Sequence, residues 1–103
     1  MDKTIPKYYE TFDAILAELR TNDIYKRRHL IQTIIQNNYA DLSPELLAEK
    51  IQSGGLLIDN RIGWGLSYLK NAGYIAYPQR GHVQITDKGT RQNTPLTLNQ
   101  VKL

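Results

Sequence analysis

The sequence NRIGWGLSYLKNAG, residues 60–73, predicts an amphipathic helix and is the stretch that most clearly indicates the fold. At 100° per residue, a helix over about 59–72 has one apolar side, formed by Ile62, Gly65, Leu66, Leu69 and Ala72. The opposite side carries small and polar residues and one indole: Asn60, Gly63, Trp64, Ser67 and Asn71. Lys70 flanks this side on one edge, and Arg61 and Tyr68 flank it on the other. Gly73 then suits a left-handed C-cap, which ends the helix.

The polar side of this helix has the side chains that a DNA-reading helix needs. Asparagine and arginine hydrogen-bond base edges, lysine contacts phosphate, and small residues allow a close approach. We therefore expect five DNA contacts from it: Asn60, Arg61, Ser67, Lys70 and Asn71. Arg61 can instead form a surface ion pair with Asp59, and Lys70 can simply be solvated. Trp64 and Tyr68 are expected to pack against a neighbouring helix.

A β-hairpin is predicted directly after the helix. Ile75 and Tyr77 in residues 74–77, and Val83 and Ile85 in residues 82–86, recur at every second position, which is the period of a half-buried strand. The turn residues 78–81 separate the two strands. Gly81 suits a position with positive φ, and Arg80 lies at the tip, where it can reach a phosphate or the minor groove. His82 faces outward, either as a further contact to the DNA backbone or as an ordinary exposed strand histidine.

Three helices are predicted before residue 59, over about 7–20, over about 24–38, and from Pro44, behind an N-cap at Ser43, to about Ser53. Three cationic residues lie near the start of the second helix, where the helix dipole disfavours them: Lys26, Arg27 and Arg28. We expect them to add phosphate contacts, with a solvated face as the alternative. After Thr90 the periodicity is lost, and residues 93–103 are interpreted as a linker or tail.

Composition and charge limit the classes of function. The 103 residues suit one domain, and no apolar run approaches the ~20 residues needed to cross a bilayer. Residues 1–60 hold seven Lys/Arg and nine Asp/Glu, a net −2, whereas residues 61–103 hold six Lys/Arg and one acid, a net +5. A basic C-terminal part suits a polyanionic partner. With no cysteine and two histidines, we expect no metal, no cofactor and no catalytic residue, and the cytoplasm is the expected location.

The order of the elements, helices followed by a hairpin, is typical of a winged helix–turn–helix, a mainly α fold with a small β-hairpin. Four segments carry a closer resemblance: NRIGW at 60–64, YLKNAG at 68–73, RG at 80–81 and ITDKG at 85–89. In this order and spacing they resemble the N-terminal winged-helix domain of Mrr-type restriction endonucleases, which are modification-dependent (type IV) enzymes. The resemblance spans about residues 5–95. Gly65 departs from the family pattern, which usually has alanine at this position. Glycine inside a helix is less stable than alanine by about 0.5–1 kcal/mol.

The resemblance implies a target-recognition domain over residues 1–92 that binds double-stranded DNA, methylated DNA among the candidates. Residues 93–103 would then lead toward a separate C-terminal nuclease domain, which uses a divalent metal in that family. The alternative is a protein-interaction or homodimerisation module, in which Trp64, Tyr68 and Tyr77 form an exposed aromatic patch. A small enzyme is the third hypothesis, and the scarcity of His, Cys and converging acids opposes it.

Overall fold

The structure is a computed structural model that describes residues 3–101. Its elements in chain order are a 3-10 helix at Tyr8–Thr11, α1 at Phe12–Leu19, β1 at Tyr25–Lys26, α2 at Arg27–Asn38, α3 at Pro44–Leu47, α4 at Leu57–Asn71, β2 at Ile75–Ala76, β3 at His82–Ile85, α5 at Asp87–Arg91 and α6 at Leu98–Val101. The strands form an antiparallel sheet in the order β1-β3-β2. This is the mainly helical, winged-helix-like fold that the sequence predicts.

Strand β1 lies where the sequence predicts the first turn of a helix. It pairs Tyr25 with Val83 and Lys26 with His82, so that α2 begins at Arg27 and not at about residue 24. A strand of two residues is too short to show an alternating pattern, and the stripe of α2 conceals it. Helix α3 is also shorter than predicted, although Ser43 caps it by accepting a hydrogen bond from the Leu46 amide (3.2 Å).

The apolar side of α4 packs on α1 and the 3-10 helix, as the periodicity predicts. Ile62, Leu66 and Leu69 are fully buried in the core. A Cβ atom added at Gly65 would overlap the hydroxyl of Thr11, which is itself buried and donates to the Tyr8 carbonyl (2.6 Å). Gly65 therefore permits the two segments to touch, and in this chain it is a packing requirement as well as a weak helix former.

Contacts at the end of α4 fix the hairpin relative to that helix. Gly73 (φ 89°) and Gly81 (φ 75°) have the positive φ that the sequence predicts for both. The Thr86 hydroxyl donates to the Gly73 carbonyl (2.6 Å) and accepts from the Gly89 amide at the start of α5 (3.2 Å). Lys88 Nζ donates to the Ala72 carbonyl (2.7 Å). These bonds fix the chain that follows β3 against the C-terminal end of α4. The loop between β2 and β3, residues 77–81, is called the wing below.

Part of the segment interpreted as a linker packs against the core. Leu96 and Val101 are buried, and the Leu96 amide donates to Asp13 Oδ1 on α1 (3.0 Å). Helix α6 has only four residues, which is too short to produce a helical period in the sequence. The last two residues of the predicted tail lie outside the described residues.

Candidate nucleic-acid interface

An open depression lies on the exposed side of α4, beside the start of α2. Its volume is about 270 Å³, and it is lined by Arg27, Asp59, Asn60, Gly63, Trp64 and Ser67. A Cβ atom built on Gly63 would lie 2.7 Å from Arg27 Nη2, so the guanidinium group rests directly on the backbone of α4. The absence of a side chain at Gly63 thus brings an α2 cation onto the face that the sequence predicts to read DNA.

The wing meets the same place from the other side. The Arg27 amide donates to the Gly81 carbonyl (2.8 Å), which joins the start of α2 to the end of the wing. Tyr77 lies over α4, with Lys70 Nζ 5.8 Å from its ring centroid. Partial burial raises the pKa of Tyr77, while the charge of Arg27 and the hydroxyl of Ser67 act in the opposite direction. Helix α2, helix α4 and the wing therefore converge around Arg27.

The cationic and polar residues predicted at the wing and at α2 lie around this convergence. Lys26, Arg28 and Arg80 are exposed, and His82 pairs with Lys26 across the sheet. His82 Nδ1 is hydrogen-bonded to the Arg80 carbonyl (2.9 Å). Within residues 3–101 the only ion pair joins Lys3 to Asp41, so the predicted phosphate-contacting cations have no carboxylate partner there.

Arg61 lies on the opposite edge of α4 and does not join the Arg27 group. Its Nη1 donates to the Pro6 carbonyl (3.1 Å), so the N-terminal segment holds it. The alternative considered for Arg61, a surface ion pair with Asp59, is not formed, and the bond to Pro6 is made instead. Tyr68 packs on Tyr8 as predicted, with ring centroids 4.7 Å apart, and the Tyr68 hydroxyl raises the pKa of Tyr8.

A second depression follows this edge of α4. It has a volume of about 360 Å³ and is lined by Tyr8, Asn60, Arg61, Trp64 and Tyr68. Asn60 and Trp64 line both depressions and therefore form the ridge between them. Ser67 is half-buried on the Arg27 side of the ridge, and Asn71 is exposed at the end of the helix.

The prediction that Trp64 packs against a neighbouring helix is wrong. Its side chain is 54% exposed, because α1 and the 3-10 helix cover only the opposite side of α4. Tyr77 is also exposed, at 41%, and it is not among the DNA contacts predicted from the sequence. The position of Trp64 on the helical wheel indicates the outward side of α4, whereas its residue type, which is more often buried, favours packing.

Among residues 3–101, no helix is long and apolar enough to cross a membrane. In the same residues, no group of three or more His, Cys, Asp or Glu side chains is placed to hold a metal ion.

Comparison with known proteins gives one match. The family model described as the Mrr N-terminal domain matches residues 8–93, from the 3-10 helix to just beyond α5. The match includes α4, the wing and the start of α2, and so covers the whole interface described above. The comparisons with curated proteins and with solved structures found no match.

Proposed function

We propose that this chain, which belongs to the Mrr N-terminal domain family, is the DNA-binding module of an Mrr-type restriction system. Membership associates the chain with restriction systems, which act on DNA. The observation that supports duplex binding best is the convergence of Arg27, the small residues of α4 and the wing on one open face.

The proposed complex has α4 in the major groove. Asn60, Ser67 and Asn71 face the base edges, where amide and hydroxyl groups can read hydrogen-bonding patterns. Cations around them contact phosphates and set affinity and orientation without carrying sequence information: Lys26, Arg27, Arg28, Lys70 and Arg80. His82 supports the wing contact. Arg61, with one N–H group bound to Pro6, keeps further donors for a base edge on the other side of α4.

The salt dependence of binding tests this proposal. Five phosphate contacts predict a slope of log K against log salt of about −4.5, so raising salt from 50 to 200 mM lowers affinity about 500-fold. Fluorescence anisotropy with a labelled 20-base-pair duplex measures it. Lys3→Ala removes one positive charge and should leave affinity and slope unchanged, because Lys3 pairs with Asp41 and lines neither depression. Absence of duplex binding at low salt overturns the proposal.

Catalysis is proposed to lie outside this chain. The matching family is an N-terminal domain, and residues 93–103 would lead toward a nuclease domain that carries the divalent metal. A metal-dependent nicking assay on the purified chain tests this division. Cleavage that persists after purification to homogeneity, and is lost with a chelator, contradicts it.

A protein-interaction module is the second candidate function. The exposure of Trp64 and Tyr77 favours it, because aromatic residues are enriched at interfaces. Light scattering combined with tryptophan fluorescence distinguishes the two candidates. A homodimer that shields Trp64 and ignores DNA supports the interaction module, whereas a monomer that binds duplex DNA supports the preferred proposal.

A further inference from the structure

The position of Trp64 calls for an explanation that phosphate binding does not supply. Its indole is the largest exposed apolar group of the described chain, at 54% exposure, in the middle of the α4 face. Depressions of about 270 and 360 Å³ lie on its two sides. The ring therefore projects from α4 as a ridge, and it would be the first large group of the helix to meet a groove floor.

The chemistry of the major groove limits what an indole can recognise there. Base edges present hydrogen-bond donors and acceptors, and the C5-methyl group of thymine is the apolar group among them. Tryptophan has one N–H donor and no acceptor, so it cannot form the paired hydrogen bonds that distinguish one base from another. Its contribution in the groove is apolar contact area.

We infer that Trp64 is a specificity-determining residue that packs against the C5-methyl group of a pyrimidine in the major groove. This inference rests on the proposed function, because it requires α4 to enter the groove. Thymine carries such a methyl group, and 5-methylcytosine carries one at the same ring position. The shared chemistry is the methyl group, and the experiment below separates the two sources.

Charge complementarity selects DNA over an apolar protein surface as the occupant. Arg27 rests against α4 on one side of the indole, and Lys70 lies on that same side near Tyr77. Asp59 is the one acidic residue that lines the depression there, so the two cations leave this side with a net positive charge. In the described part of the chain neither has a carboxylate partner. An apolar partner seated on Trp64 would have to desolvate these charges without pairing them, which is costly. A duplex supplies the methyl group and the phosphates together.

Asn60 makes the proposed reading more specific. It lies one helical turn before Trp64 and lines both depressions beside it. An asparagine amide binds adenine through two hydrogen bonds in the major groove. The two side chains together therefore favour sites in which an adenine lies close to a C5-methylated pyrimidine.

The direct test compares duplexes that differ only in methyl groups. Two pools of 20-base-pair duplexes with a randomised centre are prepared, one with thymine and one with uracil in its place. Base pairing and charge are the same in both, so a difference in affinity reports the methyl groups. Full burial of one methyl group is worth about fourfold in affinity, and we expect the wild-type chain to favour the thymine pool by up to that factor. A third pool combines uracil with 5-methylcytosine, and recovery of affinity there identifies 5-methylcytosine as a source.

Trp64→Ala assigns the effect to this side chain. Because the indole is largely exposed, the variant should stay folded, with unchanged thermal unfolding. We expect it to keep the salt slope of the wild type, because that slope reports phosphate contacts, and to bind the methylated and uracil pools equally. Equal binding of all pools by the wild type, or a preference that survives Trp64→Ala, overturns the inference while the proposed function stands. No binding of any pool at low salt overturns the proposed function itself.

Discussion

Replacing Gly63 by alanine should change stability and DNA binding in opposite directions. The added Cβ would lie 2.7 Å from Arg27 Nη2, whereas ordinary contacts are 3.4–4 Å, so the guanidinium group must move by at least about 0.7 Å. The group that moves is the end of a long flexible side chain, and the shift costs little. Alanine in place of glycine inside a helix contributes about 0.5–1 kcal/mol to stability. For a domain of this size, that raises Tm by several degrees.

The same displacement moves the Arg27 guanidinium group away from the backbone of α4. If this shift breaks a contact between Arg27 and one phosphate, the magnitude of the salt slope falls by about 0.9, from about 4.5 to about 3.6. Affinity would then fall about 150-fold, instead of about 500-fold, between 50 and 200 mM salt. Scanning calorimetry measures the stability, and anisotropy titrations at four salt concentrations measure the slope.

A double-mutant cycle gives this prediction its control. In an Arg27→Ala background, Gly63→Ala should still stabilise the fold and should have no further effect on the slope, because the displaced group is absent. Lower stability of the single variant, or wild-type affinity and slope, would refute the placement of Arg27 on the DNA-binding face.

Three further predictions test other parts of the structure. Gly65→Ala should destabilise the fold by about 1–3 kcal/mol despite its better helix propensity, because the new methyl group overlaps the buried Thr11 hydroxyl; chemical denaturation measures this. Gly89→Ala should be worse, since its Cβ would meet the Tyr74 carbonyl of the backbone, which cannot rotate away; a Tm near that of the wild type would disprove the packing. Arg27→Ala should lower duplex affinity and the salt slope while Lys3→Ala changes neither, and equal effects of the two variants would mean that charge alone, without position, governs binding.

Local signals in the sequence were sufficient for the helices and the hairpin. The apolar stripe of α4, the C-cap at Gly73 and the turn glycine at Gly81 each depend on neighbouring residues only, and the structure confirms them. Strand β1 exists because it pairs with β3, more than fifty residues later, and two residues hold no pattern of their own. The packed end of the chain was missed for a similar reason, since Leu96 and Val101 are buried by contacts distant in sequence.

The sequence predicts which side chains of α4 belong to the candidate site, but not how the other segments are arranged around them. The wheel placed Asn60, Ser67 and Asn71 on one side of α4, and the structure agrees. The contact between Arg27 and Gly63 depends on how α2 crosses α4. This packing geometry joins segments distant in sequence, and no local pattern predicts it. The position of Arg61 also depends on a contact distant in sequence, because the Pro6 carbonyl holds its side chain at the other edge of α4.

The most direct test of the DNA-binding surface is an amide NMR titration of the chain with a short duplex at low salt. We expect the largest shift changes at the exposed positions of α4, at Arg27 and at Gly81, with little change in α3 and α6. A spectrum that does not respond to the duplex, or changes confined to α3 and α6, would contradict the account.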